Sequence, residues 1–164
     1  TINLSNKKAT NVGGSISSIQ NARGGSGNDT LTGNSTGNIL IGGAGNDTIK
    51  GGSGRSILIG GTGVDTITGG SDDDIIIGGS TTFDNNNAAL DSILAEWQSA
   101  NGYATRVANI KNGGGLNGTN VLSLGTTVID DLAANVLTGG AGNDWFFKGT
   151  NDSVTDLQSG EQVN

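Results

Sequence analysis

With 164 residues, 31 glycines, no proline and only 4% aromatic residues, the chain has the length of one domain but few of the bulky side chains a broad globular core needs. Its net charge of −7, from 15 acidic and 8 basic residues, excludes the basic surface that nucleic acid requires. The lack of histidine and cysteine removes the ordinary zinc sites, Ser-His-Asp triads and Cys-His pairs, and no apolar run is long enough for membrane insertion.

Residues 1–23 begin with a short alternating stretch, Ile2 to Leu4, and lack the basic-then-apolar layout of a cleaved signal peptide. Val12-Gly13-Gly14, Ile16, Ile19 and Ala22 then lead into the glycine-rich region. This segment is predicted to supply degenerate strands that close one end of a solenoid, because solenoid ends need atypical caps.

From Gly24 to Ile77 a nine-residue unit runs without a gap: GGSGNDTLT, GNSTGNILI, GGAGNDTIK, GGSGRSILI, GGTGVDTIT and GGSDDDIII. GGAGNDWFF (139–147) restates it later. Paired glycines allow positive φ and close backbone approach, so a turn can aim several carbonyl oxygens at one point. The aspartate at the sixth position adds a charged oxygen there, and hard cations prefer such ligands. A short strand follows, in which Leu31, Leu40, Ile49, Leu58, Ile67 and Ile76 face opposite to their neighbours and form a narrow inner column. A flexible glycine-rich linker has no such phasing.

An interruption begins near Thr81. Asn85, Asn86 and Asn87 are N-cap candidates for a helix reaching about Ala100, with Leu90, Ile93, Leu94 and Trp97 on one face and Asn101-Gly102 as a left-handed terminus. Tyr103, Val107 and Ile110 mark a second helical pattern that ends at Gly113-Gly114-Gly115. Trp97 and Tyr103 are expected to pack in a core. Apolar alternation returns at Val121, Leu122, Leu124, Val128 and Ile129, and DDLAANVLT (130–138) aligns with the repeat through Asn135 and Leu137. The polar tail from Lys148 to Asn164 is expected to cap the far end.

The unit Gly-Gly-x-Gly-x-Asp-x-apolar-x resembles the calcium-binding nonapeptide repeat of RTX proteins. The resemblance implies an all-β fold, a parallel β-roll: a right-handed solenoid with two nonapeptides per coil, here carrying an inserted amphipathic helical segment at about 86–112. The single domain then divides into N-terminal capping strands (1–23), the roll (24–83), the helical insertion (84–115), and the resumed roll with its C-terminal cap (116–164). The insertion, GGAGNDWFF and the short tail together are similar to the terminal region of large extracellular RTX-like proteins.

Ca2+ is the cofactor the resemblance implies, bound as several ions. Two repeats per coil would stack the turns starting at Gly24, Gly42 and Gly60 on a first edge, which keeps Asp29, Asp47 and Asp65. The second edge, starting at Gly33, Gly51 and Gly69, has Asn38, Ser56 and Asp74 instead. The implied ligands are the carbonyls of Gly25, Gly27, Gly43, Gly45, Gly61 and Gly63 with Asp29, Asp47 and Asp65, together with Asp74, Gly140, Gly142 and Asp144. Ions are expected between turns 24–29 and 42–47, between 42–47 and 60–65, and where Gly60–Asp65 meets Gly78-Gly79. Arg55 is expected to supply positive charge near Asp72 to Asp74 on the second edge. The acidity of the chain then reads as metal sites to be filled.

The same geometry turns Thr30, Thr32, Thr48, Lys50, Thr66 and Thr68 outward on one sheet. On the other it turns Ile39, Ile41, Ile57, Ile59, Ile75 and Ile77 outward as an isoleucine wall. Either the insertion covers that wall with Leu90, Ile93, Leu94 and Trp97, or self-association or a neighbouring domain does.

The resemblance implies an extracellular, secreted structural module that folds on binding calcium and serves adhesion, a surface layer, a filament or a matrix. The alternative is a calcium-dependent folding and secretion module of a larger exoenzyme or toxin. The chain is expected not to be an enzyme: a two-carboxylate hydrolase would draw on Asp130, Asp131, Asp152, Asp156 and Glu161, whereas metal explains the repeat carboxylates better. A calcium-dependent sugar-binding module would need exposed aromatics beside a metal, and Trp145 is the one suitably placed.

Overall fold

A computed structural model describes residues 1–3, 8–9 and 19–164. The capping strands expected around Leu4, Val12 and Ile16 therefore lie outside the described residues. In chain order the strands and helices are β1 (Ile2–Asn3), β2 (Lys8–Ala9), β3 (Asn21–Ser26), β4 (Thr30–Thr32), β5 (Ile39–Ala44), β6 (Thr48–Gly52), β7 (Ile57–Thr62), β8 (Thr66–Gly70), β9 (Ile75–Ile77), β10 (Ser80–Thr81), α1 (Asn87–Trp97), α2 (Tyr103–Asn112), β11 (Val128–Ile129), β12 (Val136–Gly140), β13 (Trp145–Phe147), β14 (Ser153–Val154) and β15 (Gln162–Val163).

Successive repeats alternate between two sheets. One sheet runs β14-β12-β8-β6-β4-β1-β2 and the other β15-β13-β9-β7-β5-β3, parallel throughout except where β2 joins β1. In the first sheet Thr30 pairs with Thr48, Thr48 with Thr66, and Thr66 with Val136. In the second, Ile39 pairs with Ile57, Ile57 with Ile75, and Ile75 with Trp145. This is the parallel β-roll with two repeats per coil, carrying an inserted helical segment.

Between the sheets, Leu31, Leu40, Ile49, Leu58, Ile67 and Ile76 are all fully buried and join Ala22, Leu137 and Phe146 in a narrow inner core. The outer face of the first sheet is wet, with Thr30, Lys50 and Thr66 exposed. The outer face of the second is dry. Ile57, Ile59, Ile75 and Ile77 are 0% exposed and cluster with Leu90, Ile93, Leu94 and Trp97 of α1 and with Val107 and Ile110 of α2. The insertion folds back over the isoleucine wall, the first of the two covers expected, and buries Ile39, Ile41, Ile57, Ile59, Ile75 and Ile77 within the chain itself. Each isoleucine removed from water contributes about 1.5–3 kcal/mol, and the helices are the chain's own means of capturing it.

Four local expectations change. α1 begins after its N-cap Asn86, whose side chain accepts the Ala89 amide at 3.1 Å, but it stops at Trp97 rather than Ala100. Gly102 is no left-handed terminus; at φ −62 it is the extended N-cap of α2. Val128 and Ile129 pair antiparallel with Ser80 and Thr81, which closes the neck of the insertion rather than resuming the roll. The tail adds a further coil, with β14 on β12 and β15 on β13, where a cap was expected.

Candidate metal centre

The turns of each edge are tied by a ladder at the sixth position. On the first edge the amide of Asp29 donates to Oδ1 of Asp47, that of Asp47 to Oδ1 of Asp65, and that of Asp65 to Oδ1 of Asn135, each at 2.7 Å. Asn135 in turn donates its amide to Oδ1 of Asp152 at 2.9 Å. On the second edge Asn38 donates to Oγ of Ser56 at 3.1 Å, Ser56 to Oδ1 of Asp74 at 2.7 Å, and Asp74 to Oδ1 of Asp144 at 2.7 Å. One oxygen per side chain is enough for the ladder, so asparagine and serine serve as rungs.

The second oxygen is what the aspartates add. Oδ2 of Asp47, Asp65, Asp74 and Asp144 is excluded from solvent and has no hydrogen-bond partner. An unpaired anionic oxygen in such a place is costly unless a cation meets it. The repeat's first glycine makes the room. A Cβ on Gly24 would stand 2.6 Å from Oδ2 of Asp29 and 2.5 Å from the carbonyl oxygen of Gly42 in the next coil. Gly60 stands likewise between Oδ2 of Asp65 and the Gly78 carbonyl, and Gly69 between Oδ2 of Asp74 and the Gly139 carbonyl. Each cradle thus gathers a carboxylate oxygen and a main-chain oxygen from successive turns.

The glycines expected to offer carbonyls all sit at positive φ: Gly25 at 106°, Gly27 at 97°, Gly43 at 111°, Gly45 at 123°, Gly61 at 110°, Gly63 at 115°, Gly140 at 97° and Gly142 at 119°. The carbonyls of Gly25, Gly27, Gly43 and Gly45 point at the matching glycines of the following turn, where any side chain would collide with them. Among the described residues no three carboxylates converge on one point. The oxygens that the turns gather are main-chain carbonyls with one or two carboxylates, a donor set suited to a hard, oxygen-seeking divalent ion.

Electrostatics agree. Burial pushes the Asp65 carboxyl up to about 7 and that of Asp144 up to about 8, opposed by the amide each accepts and reinforced by neighbouring acids. Burial likewise raises Asp47, and raises Asp74 well above the usual carboxylate range. A divalent ion inverts this penalty by favouring the charged form.

The second edge has its own cation in its middle. Nε of Arg55 lies 4.0 Å from Oδ2 of Asp73, as the expected charge balance requires. A stronger partner comes from the insertion: Arg106, 1% exposed, donates to the same Oδ2, donates to the Trp97 carbonyl at 2.7 Å and stacks 4.7 Å from the Trp97 ring centroid. Nothing in the sequence pattern marks Arg106 for this, since it lies 33 residues from Asp73.

The turn above Gly60–Asp65 is split. The Gly61 amide reaches the Gly79 carbonyl at 3.0 Å, before the insertion, while the Gly63 amide reaches Oδ2 of Asp131 at 3.0 Å, after it. In the regular coils the corresponding amides of Gly27 and Gly45 go to the carbonyls of Ala44 and Thr62. Asp131 therefore stands in for a backbone oxygen. The leading-glycine carbonyls of Gly42, Gly60 and Gly139 were also missed by sequence reasoning, although their fixed place in the repeat could have shown them. Trp145 is 0% exposed, so the placement required for sugar stacking is absent.

The repeat itself is the point of comparison with known proteins. The model of the RTX calcium-binding nonapeptide repeat matches residues 23–58, 51–81 and 127–149, in four copies that take in half of the chain. No curated protein and no solved structure matches it. On the repeats, the two-sheet roll and the oxygen cradles between its turns, the chain belongs to the RTX calcium-binding nonapeptide repeat family.

Proposed function

We propose that this is a secreted structural module whose folding is driven by calcium. The observation that carries the reading is the set of solvent-excluded, unpartnered Oδ2 atoms of Asp47, Asp65, Asp74 and Asp144 beside main-chain oxygens of stacked turns. In low calcium these carboxylates repel one another and the glycine turns lose much backbone entropy on ordering. At millimolar extracellular calcium, binding free energy becomes folding free energy, which suits a chain that passes through an exporter unfolded and sets outside the cell. The ligands proposed are Asp29, Asp47, Asp65, Asp74 and Asp144 with the carbonyls of the glycines in their turns.

Two acids outside the ladder are already engaged as loop anchors. Asp130 accepts the amides of Leu132 and Thr150, and Asp156 those of Gly139 and Gly140. This supports a structural role rather than a hydrolytic pair. The buried isoleucine wall favours a self-contained module, serving adhesion or a matrix or attached to an exoenzyme, over a lattice joined through that face. Circular dichroism and sizing of the purified chain, with calcium and with chelator, test the proposal. The expected result is a monomer that gains β structure with calcium; a chain equally folded in excess chelator overturns it.

A further inference from the structure

The last coil carries an acid where the repeat carries aspartate. Gln162 pairs with Trp145, and Trp145 with Ile75, which sets Glu161 in line with Asp144 and Asp74 on the second edge. Residues 150–164 lie beyond the matched repeats. Oε2 of Glu161 accepts the Gln158 amide of its own turn, while Oε1 is excluded from solvent and unpartnered. Oδ2 of Asp144, in a residue 0% exposed, is unpartnered too. Among the described residues the ion pairs join Thr1 to Asp29 and Arg55 and Arg106 to Asp73, so no basic group answers this pair.

This gap also differs chemically from the earlier ones. There, the leading glycine of the next coil offers a carbonyl beside the aspartate. Here that place belongs to Asp156, whose carboxylate is taken up by the Gly139 and Gly140 amides at 2.8 Å each. The step from Gly139 to Asp156 is 17 residues, against 18 for the step from Asp47 to Asp65.

We infer that Asp144 and Glu161 together hold a hard divalent cation of the calcium class, outside the nonapeptide repeats, which fastens the last coil to the roll. The inference rests on the calcium reading above, and its test separates the two. Trp145 follows Asp144, and the Tyr103 hydroxyl donates to the Asp144 carbonyl at 2.8 Å, so an ion here sits beside aromatic antennae. Calcium stoichiometry by calorimetry and aromatic-sensitised terbium luminescence are measured on the whole chain and on Glu161→Gln and Asp47→Asn. Glu161→Gln is expected to bind one ion fewer and to lose a large part of the luminescence. Asp47→Asn is expected to lose capacity on the first edge and keep the luminescence. An unchanged ion count and luminescence in Glu161→Gln overturns the site, the pair then sharing a proton instead. A parent chain that binds no calcium overturns the proposed function itself. Should Glu161→Gln fail to fold, Glu161→Asp decides: one weakened ion supports the site, and unchanged affinities for all ions overturn it.

Discussion

The amide of Asp47 donates to Oδ1 of Asp65, 18 residues further along, at 2.7 Å, and Oδ2 of Asp65 is left without a partner. The two oxygens of one carboxylate therefore have separable duties. Asp65→Asn keeps the rung, as Asn135 does for Asp65 itself, and discards the charge. The variant is expected to fold in excess calcium with reduced ion capacity, losing about 2.7 kcal/mol where the site had been held at 100 times its Kd. Asp65→Ala also orphans the buried Asp47 amide, at a further cost of about 1–3 kcal/mol. Calcium titrations and melting curves of the two variants check the order; equal losses would count against the division of duties.

The buried carboxylates also set a pH dependence. Asp65 and Asp144 are raised by burial to about 7 and about 8, from the ordinary aspartate value of 3.8. A raised carboxyl favours the protonated folded state, so its contribution is fully present below about 4 and is lost as pH rises through 7 and 8. In chelator, these groups should make the roll less stable at pH 8.5 than at pH 5.5. Calcium reverses the trend, because ligands must lose their protons to bind it. Apparent calcium affinity measured at those two pH values should be higher at the upper one, and a flat profile would contradict the assignment.

Glycine is required at some positions and not at others. Gly61 has φ 110°, and a Cβ there would strike the Gly43 carbonyl. Gly102 has φ −62 and open space around its would-be Cβ. Gly61→Ala is expected to prevent the first-edge turns from stacking, with strain of about 1–2 kcal/mol from the backbone alone before the collision is counted. Gly102→Ala should stay within about 1 kcal/mol of the parent chain. Chemical denaturation in excess calcium compares them.

Covering of the isoleucine wall by the chain's own helices predicts a folding defect rather than an assembly defect. Ile57, 0% exposed and packed in the cluster that holds Trp97, should cost about 2–5 kcal/mol when truncated to alanine. Ile57→Asp should leave the isolated chain unfolded even in calcium. A folded Ile57→Asp monomer, seen by circular dichroism and sizing, would mean that the helices do not seal the wall.

Local, periodic information was enough for much of this protein. The glycine pairs dictate turns, the sixth-position acids line the edges, and the residues at Leu31, Leu40, Ile49 and their successors point inward because strand side chains alternate. Even the helices of the insertion and their apolar face are readable, since a 3.6-residue period needs no knowledge of the partner.

What the sequence could not decide depends on contacts between distant segments. Whether α1 or another molecule covers Ile57 and Ile75 turns on where the insertion's neck closes, and β10 with β11 settle that. The first-edge turn that meets Asp65 is assembled from Gly79 and Asp131, on either side of the insertion, so no linear window contains it. Arg106 finds Asp73, and Glu161 comes level with Asp144, because helix packing and coil register carry them there. Periodicity fixes which face a residue takes within one turn or strand. Only closure of the chain in three dimensions fixes which charges and oxygens then meet.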